Sequence, residues 1–223
     1  MGQAIGESIV LAVGVAFSPM AIMPVVLMLG APRGRVTGPA FTAGRLAGLS
    51  LAGAIALAIA GGGGQGGDPG AWLRLVKLAL GGLLVLLGLR KLLGRRTDGP
   101  GAAAPAWLGA IDRLGAPKAF GAGGILSAGN PKNLLLVIAA AAEIAQAEIP
   151  GGKQAVALAV FAVIGTLGAA VPVGIYFALG SRAADLLDRL KGWMARNNAV
   201  IVAVLLLLIG AKLVGASLAG LAR

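Results

Sequence analysis

Six stretches of apolar sequence, each about as long as a lipid bilayer is thick, leave this chain few ways to fold. They run at roughly Ala4–Leu29, Pro39–Ala60, Ala71–Leu93, Ala119–Ile144, Ala155–Leu179 and Ala199–Leu218. A helix needs ~20 mostly apolar residues to cross ~30 Å of hydrocarbon. Lipid offers no partner to a bare amide, so segments this rich in Leu and Ala are expected to be helices and not barrel strands. Of 223 residues, 58% are hydrophobic and 12% charged, against about 25% charged in soluble domains. The expectation is an all-α membrane protein of six transmembrane helices with no sizeable soluble domain. The start, Met1 to Gln3, lacks the basic flank of a signal peptide, and the apolar run after it exceeds a typical signal core, so it is read as the first span.

The interruptions organise the chain. Ala31–Gly38 reads as a Pro/Gly/Arg turn, Gly61–Gly70 as a glycine run ending in Asp68–Pro69, and Gly94–Pro117 as the longest polar linker. This gives a first three-helix repeat at 1–93, a basic linker at 94–118 and a second three-helix repeat at 119–223. Arg33, Arg35, Arg90, Lys91, Arg95, Arg96, Arg113, Lys118, Arg182, Arg189, Lys191 and Arg196 fall on one side; Arg74, Lys77, Lys153 and Arg223 fall on the other. The positive-inside rule then puts the linker in the cytoplasm and both termini outside. With three spans per half, the second half enters the membrane in the opposite sense, as in 3+3 inverted-repeat transporters. The formal net charge of +11 is thereby read as loop charge, and no nucleic-acid partner is expected.

Cysteine and histidine are absent, which removes thiol redox chemistry, Cys/His metal sites and histidine relays. Paired carboxylates, a nucleophile with its base and a phosphate loop are also missing from the sequence pattern. The expectation is therefore no catalytic residues, no cofactor and no metal, hence not an enzyme.

The residues open to transport chemistry lie inside the spans. Phe17-Ser18-Pro19 in span one and Gly129-Asn130-Pro131-Lys132-Asn133 in span four are matched interruptions, the pattern that points to a central binding site. Pro19 and Pro131 should kink their helices and free backbone carbonyls, with Asn130 and Asn133, three apart on one face, as partners in span four. Lys132 lies 13 residues beyond Ala119, roughly 20 Å along a helix and too deep to snorkel easily. An ammonium there should be paired or face water, which suits an anionic substrate group. The candidate substrate-binding set is Ser18, Pro19, Arg45, Asn130, Pro131, Lys132 and Asn133. Arg45 has two readings, snorkelling to the cytoplasmic surface or reaching the substrate. Glu7 and Glu143, near the outer helix ends, are proton-coupling candidates or plain interfacial residues, and Lys212 is read as an interfacial anchor. Gly44 and Gly48, four apart, should let helices pack closely.

Ser18-Pro19 through Leu29, followed by Gly30-Ala31-Pro32-Arg33-Gly34-Arg35 and Gly38, resembles the first-span motif and basic turn of the lysine-exporter (LysE) superfamily. Asn130-Pro131-Lys132 resembles its second-half Asn-Pro-Lys motif. Within that superfamily the chain looks most like the GAP family of peptidoglycolipid and sulfolipid addressing proteins, over all six spans. The resemblance implies an inverted-repeat exporter of the cytoplasmic (inner) membrane that delivers glycolipids toward the cell surface. Ser18-Pro19-Met20 departs from the Gly-Pro-polar motif of the amino-acid exporters. The paired cysteines of the related thiol-electron carriers and the acidic clusters of the cation exporters are missing.

The leading expectation is an exporter or flippase-like transporter of a glycolipid or other anionic lipid-linked substrate, with membrane lipids as partners. Two alternatives stand beside it: a proton-coupled exporter of amino acids or similar small solutes, and a non-transporting adaptor of a lipid-export machine that docks through the linker. A homodimer is one way to shield span three, which is free of charge only from Leu78 to Leu89; snorkelling and bilayer thinning are others.

Overall fold

The computed structural model describes residues 2–62, 69–93, 114–147 and 149–221. The elements are α1 (Gly2–Ala16), α2 (Pro19–Gly30), α3 (Gly34–Gly62), α4 (Pro69–Leu93), α5 (Ala116–Ala128), α6 (Pro131–Gln146), α7 (Gly151–Leu179) and α8 (Ala183–Leu221), with a short 3-10 turn at Gly180–Arg182. The linker expected at 94–118 lies outside the described residues up to 113, and its last three residues are already the first turn of α5.

Both proline interruptions are complete breaks and not kinks. A residue before proline is driven out of the α region, and Ser18 (φ −109, ψ 115) and Asn130 (φ −80, ψ 117) are indeed extended. Each proline then opens the next helix, where its missing N–H and fixed φ do no harm. The second break bends the α5–α6 pair by 68°. Around them the order is a broken pair followed by two long helices, α1–α2, α3, α4, and then α5–α6, α7, α8.

Two expected loops are shorter than the sequence suggested. The turn after α2 closes within Ala31–Arg33, because Gly34 starts α3 where a Cβ would stand 2.5 Å from the Leu29 carbonyl oxygen; Pro39 sits inside α3 and does not start it. The basic segment before Ala199 is the beginning of α8, 39 residues long. Residues 183–198 are mostly Ala, Leu and charged residues of good helix propensity, and nothing there stops the helix where it leaves the apolar zone.

Three single helices are long and apolar enough to cross a membrane, Gly34–Gly61, Gly151–Leu179 and Ala199–Leu218, and the bent α5–α6 pair makes a fourth. The first break leaves α1 and α2 at 15 and 12 residues, and Lys77, Arg90 and Lys91 shorten the apolar part of α4. Outward faces carry large apolar side chains at helical spacing: Leu51, Ile55 and Ile59 on α3 and Val163, Leu167 and Val171 on α7 are all exposed. Contiguous apolar surface of this kind is stable against acyl chains and not against water. The chain is a multi-pass membrane protein.

Packing crosses between the halves. α1 lies on α7, α5 lies on α3, and α4 and α8 lie mainly on each other. Since lipid supplies no hydrophobic drive between helices, close contact of small residues takes its place. Gly44 meets the Phe120 carbonyl and Gly123 meets the Phe41 carbonyl; a Cβ on Gly48 would stand 2.7 Å from the Gly124 oxygen. Gly168 rests on Ala16 across the α1–α7 crossing in the same way. The close packing expected of Gly44 and Gly48 is present, and α5 is the helix they receive. Gly44→Val should therefore force α3 and α5 apart at a cost of ~1–3 kcal/mol or more. Thermal unfolding in detergent should show a lowered Tm for Gly44→Val and an unchanged one for Gly82→Ala, whose Cβ meets nothing within 4 Å.

Candidate anion site at the helix breaks

The site begins with carbonyls that α1 cannot satisfy. In an α-helix the carbonyls of residues 14 and 15 accept from the N–H groups of residues 18 and 19. Here the Ser18 N–H turns back to the Ala16 oxygen at 2.8 Å, and Pro19 has no N–H to give. Two buried oxygens are thereby released, and a cation answers each. Lys132 Nζ donates to the Gly14 oxygen at 2.8 Å, and Arg45 Nη2 donates to the Val15 oxygen at 2.9 Å.

Arg45 reaches further. The same Nη2 donates to the Gly165 oxygen at 3.1 Å, and Nη1 donates to Ser127 Oγ at 3.2 Å. Ser127 Oγ in turn donates to the Gly123 oxygen at 2.7 Å. One guanidinium thus joins α1, α3, α5 and α7. At 1% exposure it is the largest fully buried side chain among the described residues, so the snorkelling reading of Arg45 is overturned. Glycines at 44, 48 and 123 bring the helices close enough that the long side chain threads the bundle instead of reaching its surface.

Around this pair stand the other residues singled out from sequence. Asn130 caps α6, its Oδ1 accepting the Lys132 backbone N–H at 3.0 Å. The expected use of Asn130 and Asn133 as a shared helical face is therefore wrong, because Asn130 is extended and precedes the helix. Asn133 is fully buried in the first turn of α6, and neither atom of its amide has a hydrogen-bond partner among the described residues; Arg45 Nε shares that condition. Ser18 is buried at the cap of α2 without a side-chain capping bond. Pro19 and Pro131 serve as first residues of α2 and α6, and Pro131 is exposed.

The electrostatics are one-sided. The partners of both cations are carbonyl and hydroxyl oxygens, so no carboxylate neutralises either one among the described residues. The carbonyl end of α1 supplies partial negative charge. The N-termini of α2 and α6 start at the same breaks, and N–H ends of half-helices favour anions. A site of two unneutralised cations and two helix N-termini is chemically suited to a negatively charged group.

A second cluster lies ~16 Å along α6, eleven residues beyond Lys132. Glu143 Oε2 pairs with Lys77 Nζ at 2.8 Å, with side chains 2% and 8% exposed. Glu7 is a hydrogen-bonding side-chain neighbour of Glu143, and Lys212 Nζ donates to the Glu7 backbone oxygen at 3.0 Å. Glu143 is thus buried in the bundle, and Lys212 is tied to α1. Sequence reasoning missed Lys77, whose signal was a lysine two turns inside α4, and Ser127, a lone hydroxyl one residue short of the second break. At the other end of the bundle a cavity of about 510 Å³ opens between α2, α7 and α8, lined by Val26, Leu29, Arg35, Tyr176 and Phe177 among others. Among the described residues no three His, Cys, Asp or Glu side chains come together as metal ligands do.

Arg45→Met should leave the Val15 oxygen and Ser127 without this donor at the centre of the fold. Unmet buried groups cost ~1–3 kcal/mol each, so the variant should unfold at clearly lower temperature than wild type. Arg45→Lys should recover only part of the loss, since an ammonium lacks the fork that reaches three oxygens.

Neither a curated protein nor a solved structure matches this chain. A family model does: that of Sap, sulfolipid-1-addressing protein, matches residues 9–219. The match takes in both helix breaks, Arg45, Lys132 and Glu143, and with nearly the whole length covered the chain belongs to the sulfolipid-1-addressing protein family.

Proposed function

We propose that the protein carries an anionic amphiphile, a glycolipid or another lipid-linked substrate, across the cytoplasmic membrane toward the cell surface. The observation that carries this reading is the meeting of Lys132 and Arg45 at the broken end of α1 without a carboxylate to neutralise either. Burying a charged Lys or Arg side chain at membrane depth costs ~2.5 kcal/mol or more, and two cations repel. A negatively charged headgroup between them relieves both terms. Family membership supports a role in lipid export or addressing, and the lipid tails would remain against the apolar outer faces of α3 and α7.

The same proposal includes the membrane arrangement. α1–α2, α3, α4, α5–α6, α7 and α8 are taken as six spans in a 3+3 inverted repeat, with both termini outside and 94–118 in the cytoplasm. The recurring order of broken pair, long helix, long helix supports it, as does the exchange of partners by which α1 packs on α7 while α5 packs on α3. The bias of Arg and Lys between the two sides supports the orientation. In this arrangement the cavity beside Arg35 opens to the cytoplasm and the headgroup moves from there along α2 to the breaks, ~15 Å by helix rise.

Lys132→Ala should abolish movement of the anionic lipid while membrane expression stays intact, and Lys153→Ala, on an exposed site at the start of α7, should leave it unchanged. Lipid export from cells, or transfer of a labelled anionic lipid between the leaflets of proteoliposomes, reads this directly. Wild-type export by Lys132→Ala removes the proposed site. Export of radiolabelled amino acids, with no lipid movement, would replace the lipid by a small solute.

A further inference from the structure

The carboxyl cluster at the far end of α6 is not used by the headgroup site, and its geometry has chemistry of its own. Glu143 is 3% exposed. Its Oε2 is held by Lys77, while Oε1 is buried and receives no N–H or hydroxyl donor among the described residues. The group hydrogen-bonding to it as a side chain is the carboxyl of Glu7. Two carboxyls form a hydrogen bond only when one of them holds a proton, because a carboxylate is an acceptor alone. Lys77 then matches the single negative charge that remains. Such a pair is suited to share one proton between two carboxyls, with one ammonium beside them.

Among the described residues, the elements packed on α6 bring few other charges to this point. α1 supplies Glu7 and α4 supplies Lys77. α8 reaches it through Lys212, on the backbone oxygen of Glu7. Arg45 of α3 is bound at the helix breaks, and Lys118 of α5 and Lys153 of α7 are exposed at the starts of their helices. The cluster also occupies a mechanical junction. α4 and α8 pack chiefly on each other and only lightly on α1 and α6. The Lys77–Glu143 pair joins α4 to α6, and the Lys212 bond joins α8 to α1, at one and the same end of the bundle.

We propose that Glu7, Glu143 and Lys77 form a proton-binding site that gates this end of the bundle. With one proton shared between the carboxyls, α1, α4 and α6 are held together as observed. When that proton passes from a carboxyl oxygen to water, two carboxylates are left side by side; their repulsion parts α1 from α6, and water enters to solvate them. Reprotonation from water restores the closed arrangement, and no other bond is made or broken. The proposal rests on the transport reading only for its purpose: in an exporter, the proton would be exchanged against passage of the headgroup.

The chain has no cysteine, so a single reporter can be placed cleanly. Ser8→Cys puts a thiol at a fully buried site next to Glu7, and Ala142→Cys puts one at a buried site next to Glu143, in case the first folds poorly. In nanodiscs, the rate of modification by a membrane-impermeant maleimide is followed from acidic to alkaline pH. Glu143→Gln in the same background is the reference, because its amide supplies a permanent donor toward Glu7 and an oxygen for Lys77. It also carries the ordinary pH dependence of the thiol. As pH rises, the Glu143 protein should become labelled faster than the Glu143→Gln protein by about tenfold or more, a population shift of ~1.4 kcal/mol. Infrared difference spectra over the same range should show loss of a protonated carboxyl band that both Glu7→Gln and Glu143→Gln remove. Equal labelling of the two proteins at every pH, or a band unaffected by both substitutions, overturns the proposal. Because labelling and spectra need no substrate, that failure is distinct from failure of the headgroup site, which Lys132→Ala tests.

Discussion

Two carbonyl oxygens that their own helix cannot use organise the centre of this protein. Pro19 and the backward turn of the Ser18 N–H release the oxygens of Val15 and Gly14, two residues buried in the bundle. Arg45 and Lys132 take them, each from a different helix. Breaking α1 and placing cations inside the bundle are thus two halves of one arrangement. The break gives the cations acceptors, and the cations let the break persist.

The surrounding fold serves this contact. Glycines at 44, 48 and 123 bring α3 and α5 to backbone contact, and Gly168 does the same for α7 and α1, so that one guanidinium spans four helices. The balance of charge is incomplete by design of the same contact. Carbonyl dipoles offset only part of two full positive charges, which leaves the centre receptive to an anion. Further along α6 the opposite composition appears, with two carboxyls around one close ammonium. Lys132 and Arg45 at the breaks and Glu143 with Lys77 further along α6 thus give the two ends of that helix different charge.

Much of this was legible before any coordinates. Apolar stretches of membrane length announced a helical membrane protein, and two matched Xaa-Pro steps announced the breaks, because proline acts on its immediate neighbours. Lys132 stood out since lysine in the middle of an apolar segment has no local explanation. The proteins of the sulfolipid-1-addressing family share enough of this chain for the resemblance seen in its motifs to hold over residues 9–219. Helix ends were less legible. α8 continues through a basic segment that resembles a loop in composition, as charged residues are good helix formers outside the lipid.

The amino-acid sequence by itself determined which segments are apolar, where the chain breaks and which charges, Lys132 and Arg45 among them, fall within apolar segments, since these depend on residues within a turn or two of one another. Only the tertiary structure decided what those charges meet. Arg45 and Val15 are 30 residues apart, Lys132 and Gly14 are 118, and Lys77 and Glu143 are 66. No helical periodicity extends over such separations. Whether a buried cation ends on a carboxylate, a carbonyl or a lipid is settled by how the helices cross, and that crossing comes from glycine contacts summed over the whole bundle.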